Sequence, residues 1–230
     1  MDKENLNAFA RCLLFKEIKE EDLEAMLMCI NPKMRKYKKN DLICIAGEEF
    51  DGIGIVISGE AVVTQENSEG NRVIIAILKP GDMFGEMAAF SGNRKWPATV
   101  YAQGNCTVAF IPPEKIVGEC SRLCVGHRKL IVNMLTIVSK KALMLNRKVE
   151  YLALKNMKGK IAKYLLEQYK LNGKLTFKLL MNRNELADFL NVARPSLSRE
   201  LCNMRDEGII DFDRSAIKIL NLQALKNLEY

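Results

Sequence analysis

Residues 125–154 carry the feature that most restricts how this chain can fold. No proline occurs in this segment, no glycine occurs after Gly126, and apolar residues recur every seven positions along two rows. Because the rows are offset by four residues, both lie on one face of an α-helix. A stripe sustained over about three heptads is typical of a seam between two helices.

We predict that this stripe is a dimer interface. A helix of about 28 residues is roughly 42 Å long, which is more than a small domain needs to cover itself. The alternative is a helix packed on its own domain. The seven predicted interface residues are Ile131, Leu135, Val138, Ala142, Leu145, Val149 and Leu152.

The first half of the chain has a different pattern. Residues 17–30 show helical spacing and end at Asn31-Pro32. From Lys38 to about Pro113, short β-rich runs alternate with turns roughly every 8–12 residues; they include "LICIA", "GIGIVI", "AVVTQ", "RVIIAIL", "TVYA" and "TVAFI". Such spacing predicts a compact antiparallel barrel or sandwich that follows a short amphipathic helix.

The last third predicts a winged helix-turn-helix. Asn182 and Glu185 have the spacing of a capping box, and Asn191 suits the left-handed turn that ends the first helix. Leu197, Leu201 and Met204 form the buried face of a second helix that stops at Gly208. "IIDFD" and "AIKIL" then predict a two-stranded wing.

Length, cysteine content and charge set the class of protein. A chain of 230 residues that is 48% hydrophobic can bury a core and form two modest domains. Seven widely spaced cysteines and no signal peptide predict a cytoplasmic protein with reduced thiols, and apolar runs of about six residues predict no membrane span. Residues 151–230 hold 14 Lys and Arg against 9 Asp and Glu, a net charge of +5 out of +7 for the chain. A basic domain of this kind is compatible with polyanion binding.

Enzyme and metal signatures are missing from the sequence. There is no P-loop, no G-x-G-x-x-G, no H-E-x-x-H and no C-x₂-C. We therefore predict no enzyme activity, no cofactor and no metal site, and we expect His127 to be a surface or packing residue. Cys120 and Cys124 are four residues apart, which leaves a redox-sensing pair as an alternative.

The order of β-rich module, long helix and winged helix, together with two local motifs, resembles the cyclic-AMP receptor protein/FNR (Crp/Fnr) family of bacterial transcription regulators. "KPGDMFGEMAAFSGNRKWPATV" (79–100) is similar to the segment with the family's phosphate-binding cassette, and "GKIAKYLLE" is similar to the first helix of its DNA-binding domain. The resemblance implies an α+β fold with a cyclic-nucleotide-binding-like antiparallel β-roll of jelly-roll type. We expect an effector-sensing domain with its N-terminal helix at 1–124, a dimerisation helix at 125–154 and a winged helix-turn-helix at 155–230.

The resemblance further implies a homodimer that binds double-stranded DNA at a palindromic operator, and it raises RNA polymerase as a further partner. In the family an Arg-Glu pair opens the recognition helix and a second Arg follows; these positions are Arg194, Pro195 and Arg199 here. Arg199 can read guanine, whereas Pro195 cannot accept from cytosine and can pack on a thymine methyl group. The predicted DNA-binding residues are Arg194, Pro195, Ser196, Ser198, Arg199, Arg214 and Lys218, of which the last two belong to the wing.

The cassette departs from the family at its end. Gly85 and Glu86 match its start, but Trp96 and Pro97 stand where cyclic-nucleotide binders place an Arg followed by Ser or Thr. An indole offers one donor and no charge to a phosphate. Leu145 and Asn146 occupy the positions of the Thr-Ser pair that contacts adenine.

We therefore predict an unidentified small-molecule effector that is not cAMP, and Trp96 favours a small apolar or aromatic acid. The predicted effector-binding positions are Gly85, Glu86, Trp96, Pro97, Leu145 and Asn146. A second function is open at this point, namely a ligand-binding regulatory protein whose winged helix docks a protein partner. An acidic or apolar recognition face would favour that function.

Overall fold

The computed structural model describes residues 3–49, 52–66, 72–118 and 125–228. The chain divides into two compact units, Met1–Lys140 and Lys141–Tyr230. One hydrophobic core lies in each unit. The predicted fold class is confirmed: a β-roll, a long helix and a winged helix-turn-helix follow one another along the chain.

Three short helical elements open the first unit. They are α1 (Lys3–Arg11), a 3-10 turn (Leu13–Phe15) and α2 (Glu20–Ile30). Helix α2 begins three residues later than the predicted helix, and its first turn contains three carboxylates that interact favourably with the helix dipole. It ends at Asn31, which adopts the left-handed conformation with φ 50°. Helix α1 is an addition to the predicted elements.

Two antiparallel four-stranded sheets form the β-roll, with strand orders β1-β8-β3-β6 and β2-β7-β4-β5. Their inward faces supply most of the core of this unit. The strands are β1 (Lys33–Tyr37), β2 (Leu42–Cys44), β3 (Ile53–Ser58), β4 (Ala61–Glu66), β5 (Arg72–Leu78), β6 (Met83–Phe84), β7 (Thr99–Ala102) and β8 (Cys106–Ile111). Two short helices, α3 (Glu86–Ala89) and α4 (Glu114–Val117), interrupt and follow them.

The long helix α5 (Val125–Ala153) packs on the β-roll unit with its first half. Leu130, Met134 and Ile137 are spaced i, i+4 and i+7 and are buried in the core of that unit. The side-chain amide of Asn133 donates to the carbonyl oxygens of Leu14 and Lys16 at 3.0 and 2.9 Å. This buried row was not part of the predicted interface stripe, and one residue of that stripe, Val138, is half-buried and also packs against the core of this unit.

The second unit contains the winged helix-turn-helix. Its elements are α6 (Met157–Asn172), β9 (Thr176–Lys178), α7 (Arg183–Leu190), α8 (Arg194–Asp206), β10 (Ile210–Asp213), β11 (Ala216–Ile219) and α9 (Leu222–Asn227). The last turn of α5 joins this unit through Tyr151, which is fully buried and lies 5.0 Å from the ring of Phe189. Strand β9 pairs with β11, so the predicted two-stranded wing is part of a three-stranded sheet.

Among the helices of the described ranges, none is both long enough and apolar enough to span a lipid bilayer.

Candidate nucleic-acid interface and effector site

Local sequence signals set the turn between α7 and α8. The side chain of Asn182 accepts from the backbone N–H groups of Asn184 and Glu185, and the carboxylate of Glu185 accepts from the backbone N–H of Asn182 at 2.7 Å. The predicted capping box is therefore confirmed. Asn191 ends α7 with φ 53°, a conformation that Asn tolerates better than most residues. These caps fix where α8 can begin.

Helix α8 buries one face and exposes the other. Leu197, Leu201 and Met204 are at most 1% exposed, as their spacing predicted. Ala193 precedes the helix without a side-chain cap, and Pro195 lies in the first turn, where its missing N–H leaves no intrahelical bond unmade. On the outer side, Arg194, Pro195 and Arg199 are exposed, while Ser196, Ser198 and Cys202 are partly exposed.

Arg199 lies near the middle of the outer side of α8. Its Nη2 atom donates to Ser196 Oγ at 3.4 Å, and both residues are exposed enough to contact a ligand. A guanidinium forms two parallel hydrogen bonds to the O6 and N7 atoms of guanine in the major groove. The first half of α8 therefore presents hydrogen-bond donors and positive charge. The first carboxylate along α8 is that of Glu200.

The wing turn places a second pair of cations next to this unit's sheet. Arg214 adopts a left-handed conformation, with φ 51°, in the turn between β10 and β11. Arg214 and Lys218 are both exposed. Because both side chains lie at the surface, they can contact phosphate groups without any rearrangement of the core.

A cluster that sequence reasoning missed joins the wing to both helices. The guanidinium of Arg183, at the start of α7, lies 5.2 Å from the ring centroid of Phe212, and that of Arg205 lies 5.3 Å from the same centroid. Partial burial lowers the pKa of Arg183 from its ordinary value, because desolvation disfavours the charged form. No local pattern in the sequence signals this cluster, because its three residues lie on three different elements.

The start of the cassette has a constrained backbone. Gly85 precedes α3 with φ 84°, in the left-handed region that glycine adopts without strain. Glu86 follows in the first turn of α3 and is only 4% exposed. The cassette thus places a buried carboxyl group at the position that the resemblance assigns to effector binding.

The end of the cassette holds an indole inside the β-roll. Trp96 is 5% exposed, and its ring lies 5.8 Å from Phe84, which in turn packs edge-on against Phe110. A Cβ atom on Gly54 would lie 2.1 Å from the Phe84 ring, so a larger residue at this position would displace that ring. Pro97 is exposed. The position of the family's phosphate-binding arginine is therefore occupied by a buried, uncharged ring.

An apolar pocket of about 390 Å³ adjoins the cassette helix. Met87 and Phe90 line it from α3, Met134 and Leu135 line it from α5, and the buried residue Glu86 is also part of the lining. Ile131 and Val138 complete the wall on the α5 side. Most of this lining is apolar, so the pocket suits a small apolar molecule better than a phosphate.

The remaining predicted positions have different surroundings. Leu145 and Asn146 are exposed on the part of α5 that belongs to the second unit, whereas the four cassette positions belong to the first. His127 is buried, and neither of its ring nitrogens has a hydrogen-bond partner within the part of the chain that the structure describes. Cys120 and Cys124 lie outside the described residues.

Two family models match the chain in the order of its two units. Residues 34–122 match the cyclic nucleotide-binding domain, and residues 159–228 match the Crp-like helix-turn-helix domain. Among curated relatives, the cAMP-activated global transcriptional regulator CRP of Pasteurella multocida is 23% identical over 181 residues, which cover 77% of this chain and 85% of that protein. The cAMP-activated global transcriptional regulator Vfr of Pseudomonas aeruginosa is 24% identical over 183 residues, covering 76% and 84%.

A solved structure has the same fold over nearly the whole chain. The alignment with the Thermus thermophilus catabolite activator protein covers 94% of this chain and 98% of that one, with a TM-score of 0.55 and 19% sequence identity. One domain model matches before the long helix and the other matches after it, where the structure has a winged helix-turn-helix. This chain therefore belongs to the Crp/Fnr family of DNA-binding transcription regulators.

Proposed function

We propose that this protein is a homodimeric transcription regulator that binds a palindromic operator through α8 and responds to a small apolar effector rather than to cAMP. The observation that carries the proposal is the two-sided character of α8. Its inner face is fully buried, and its outer face presents two arginines and two serines. A recognition helix needs this arrangement to bury one side and read base edges with the other.

The exposed stripe of α5 supports the homodimer. Leu135, Leu145 and Val149 are 63%, 50% and 62% exposed, although each is a large apolar side chain. Large apolar side chains exposed along a helix are unfavourable in water, and a second copy of the helix would cover those that have the heptad spacing of a two-helix seam. Each protomer of the dimer then supplies one α8 to one half-site of the operator.

The buried Trp96 supports an effector other than a cyclic nucleotide. A cyclic phosphate needs a guanidinium or a comparable set of donors, and the indole at this position is uncharged and packed on Phe84. The mostly apolar lining of the pocket beside α3 suits a small, mainly apolar molecule.

The pocket also provides a route from effector to dimer. Ile131, Leu135 and Val138 belong both to the pocket wall and to the predicted interface stripe. A ligand that contacts these side chains changes the surface offered to the second protomer. Effector occupancy and the dimer state can therefore be coupled through shared residues, as a difference in affinity between two states.

Selection of bound fragments from the source genome tests the proposal directly. The full chain is incubated with genomic fragments, with and without a pool of small metabolites, and the bound DNA is sequenced. We expect enrichment of a sequence with two-fold symmetry and a change in its recovery when the pool is added. Recovery of no common sequence would contradict operator binding.

A fluorescence titration tests the effector. Trp96 is the single tryptophan of the chain, so its emission reports on the cassette without labelling. We expect a change in emission with a small apolar or aromatic acid and no change with cAMP. Saturable binding of cAMP would contradict the proposal that the effector is a small apolar molecule other than cAMP.

A further inference from the structure

The last turns of α5 have two sides with different surroundings. Leu145, Val149 and Leu152 are exposed and form the distal part of the predicted interface stripe. Tyr151 is fully buried and belongs to the core of the second unit. Since these residues and α8 lie in one compact unit, the same stretch of helix can contact a second protomer on one side and the DNA-binding core on the other.

The ring of Tyr151 contacts the helix that precedes α8. Its centroid lies 5.0 Å from that of Phe189 in an edge-on arrangement, and the ring of Tyr164, from α6, lies 5.8 Å from Phe189. Aromatic pairs at these separations attract each other in particular orientations. Three residues, 191–193, connect α7 to α8. A shift of Phe189 against Tyr151 would therefore also move the start of α8.

Lys163 of α6 contacts two consecutive residues at the end of α5. Its ammonium group donates to the Glu150 carboxylate at 2.7 Å and lies 5.6 Å from the ring centroid of Tyr151. The side chain of Lys163 is 17% exposed, so water screens this ion pair less than a fully exposed one. The hydrogen bond from Lys163 lowers the pKa of Glu150 from its ordinary value, which keeps the carboxylate charged at neutral pH.

We propose that Tyr151 and Lys163 are positioning residues that fix the direction of α8 relative to the end of α5. This inference rests on the proposed homodimer and its palindromic operator, and it names the residues that set the separation of the two recognition helices. Residues 154–156 connect α5 to α6, and a connection of this length allows a few different angles between two helices. The contacts of Tyr151 and Lys163 select one of these angles. The same angle in both protomers gives the dimer one preferred spacing between half-sites.

The preference for one half-site spacing tests this role, because it depends on the relative placement of two α8 helices and not on the contacts of either helix with DNA. The probes are the selected operator, two duplexes whose central spacing is one base pair shorter or longer, and a duplex with a single half-site. One base pair moves a half-site by about 3.4 Å and rotates it by about 35°. Fluorescence anisotropy measures the affinity of the full chain for each duplex.

Lys163 is tested by a series of substitutions. For Lys163→Gln we expect the ratio of the affinity for the operator to the affinity for the altered spacings to fall about tenfold, because the ion pair and the cation–ring contact are both lost. Lys163→Arg keeps the charge and should keep most of this ratio. Lys170→Gln is the matched control, since it removes the same charge from an exposed position in the last turn of α6. It should leave the ratio unchanged and should bind the single half-site as Lys163→Gln does.

Tyr151 is tested by a pair of substitutions. Tyr151→Leu removes the ring that contacts Phe189 and should lower the ratio at least as much as Lys163→Gln. Tyr151→Phe keeps the ring and should behave like the parent. If Tyr151→Leu does not fold, the Lys163 series still decides the proposal.

Three results separate the possible failures. An unchanged ratio in Lys163→Gln, with a lowered melting temperature, would show that the contacts serve stability alone. Equal losses on the operator and on the single half-site would show that the two residues support the fold of the DNA-binding unit and do not set its direction. A parent chain that has no preferred spacing, or that binds no duplex DNA, would overturn the proposed function itself, and this inference with it.

Discussion

At the scale of single residues, Arg199 and Lys218 present the same charge in different settings. Arg199 lies on the outer side of the recognition helix and Lys218 lies on the exposed side of β11. We expect Arg199→Ala to lower affinity for the selected operator by about 1–3 kcal/mol and to lower affinity for random DNA much less. Competition binding with both DNAs measures the two changes.

Lys218→Ala provides the matched comparison. Loss of a phosphate contact should weaken binding to all DNA sequences about equally and reduce the salt slope by about one. Equal losses on operator and random DNA for Arg199→Ala would contradict its role in base recognition.

Trp96 makes a second prediction at this scale. Trp96→Arg places a charge where the indole is 5% exposed and packs on Phe84, so we expect a loss of about 3–5 kcal/mol in the free energy of unfolding. Trp96→Phe keeps an apolar ring and should cost less. Urea unfolding measures both, and equal stability of the Arg variant and the parent would show that the site is open to solvent.

At the scale of elements, the extent of helix α5 was predicted most clearly from the sequence. The residues that pack against the helix could be predicted only in part. Its extent, Val125–Ala153, agrees with the expected 125–154, because an uninterrupted helical pattern is a local property. The row Leu130, Met134 and Ile137 was not predicted to pack on the β-roll, because that contact depends on residues distant in the chain. The third strand of the wing sheet, β9, is only three residues long, too short for a clear alternating pattern.

The α5 stripe gives the prediction at this scale. Leu145→Asp places a charge in the proposed seam, where it loses its hydration without a partner, so we expect sedimentation to report a monomer. Leu143→Asp is the matched control. Leu143 is 64% exposed and lies two positions away, on the opposite side of the helix, so this variant should remain a dimer. If Leu145→Asp still sediments with the mass of a dimer, the α5 stripe is not the dimer interface.

At the scale of the whole molecule, two-fold symmetry would link the proposed dimer seam to the proposed operator. A dimer with one α8 per protomer reads two half-sites whose centres are about 34–36 Å apart, or a multiple of that spacing. We expect two protomers per operator duplex, measured by the mass of the complex. Inserting half a helical turn between the half-sites should reduce binding strongly, because it rotates one half-site to the opposite side of the DNA. Tolerance of this insertion would argue against simultaneous binding by both protomers.

The sequence by itself determined the features that depend on neighbours along the chain. The capping box at Asn182, the turn at Asn191, the buried row of α8 and the length of α5 all arise from periodicity and caps within one or two turns. Only the tertiary structure decided how distant residues meet. It buried Trp96 against Phe84, brought Glu86 beside an apolar pocket, and placed the guanidinium groups of Arg183 and Arg205 at 5.2 and 5.3 Å from the Phe212 ring centroid. Packing of this kind depends on shape and desolvation across the fold, which no local pattern records.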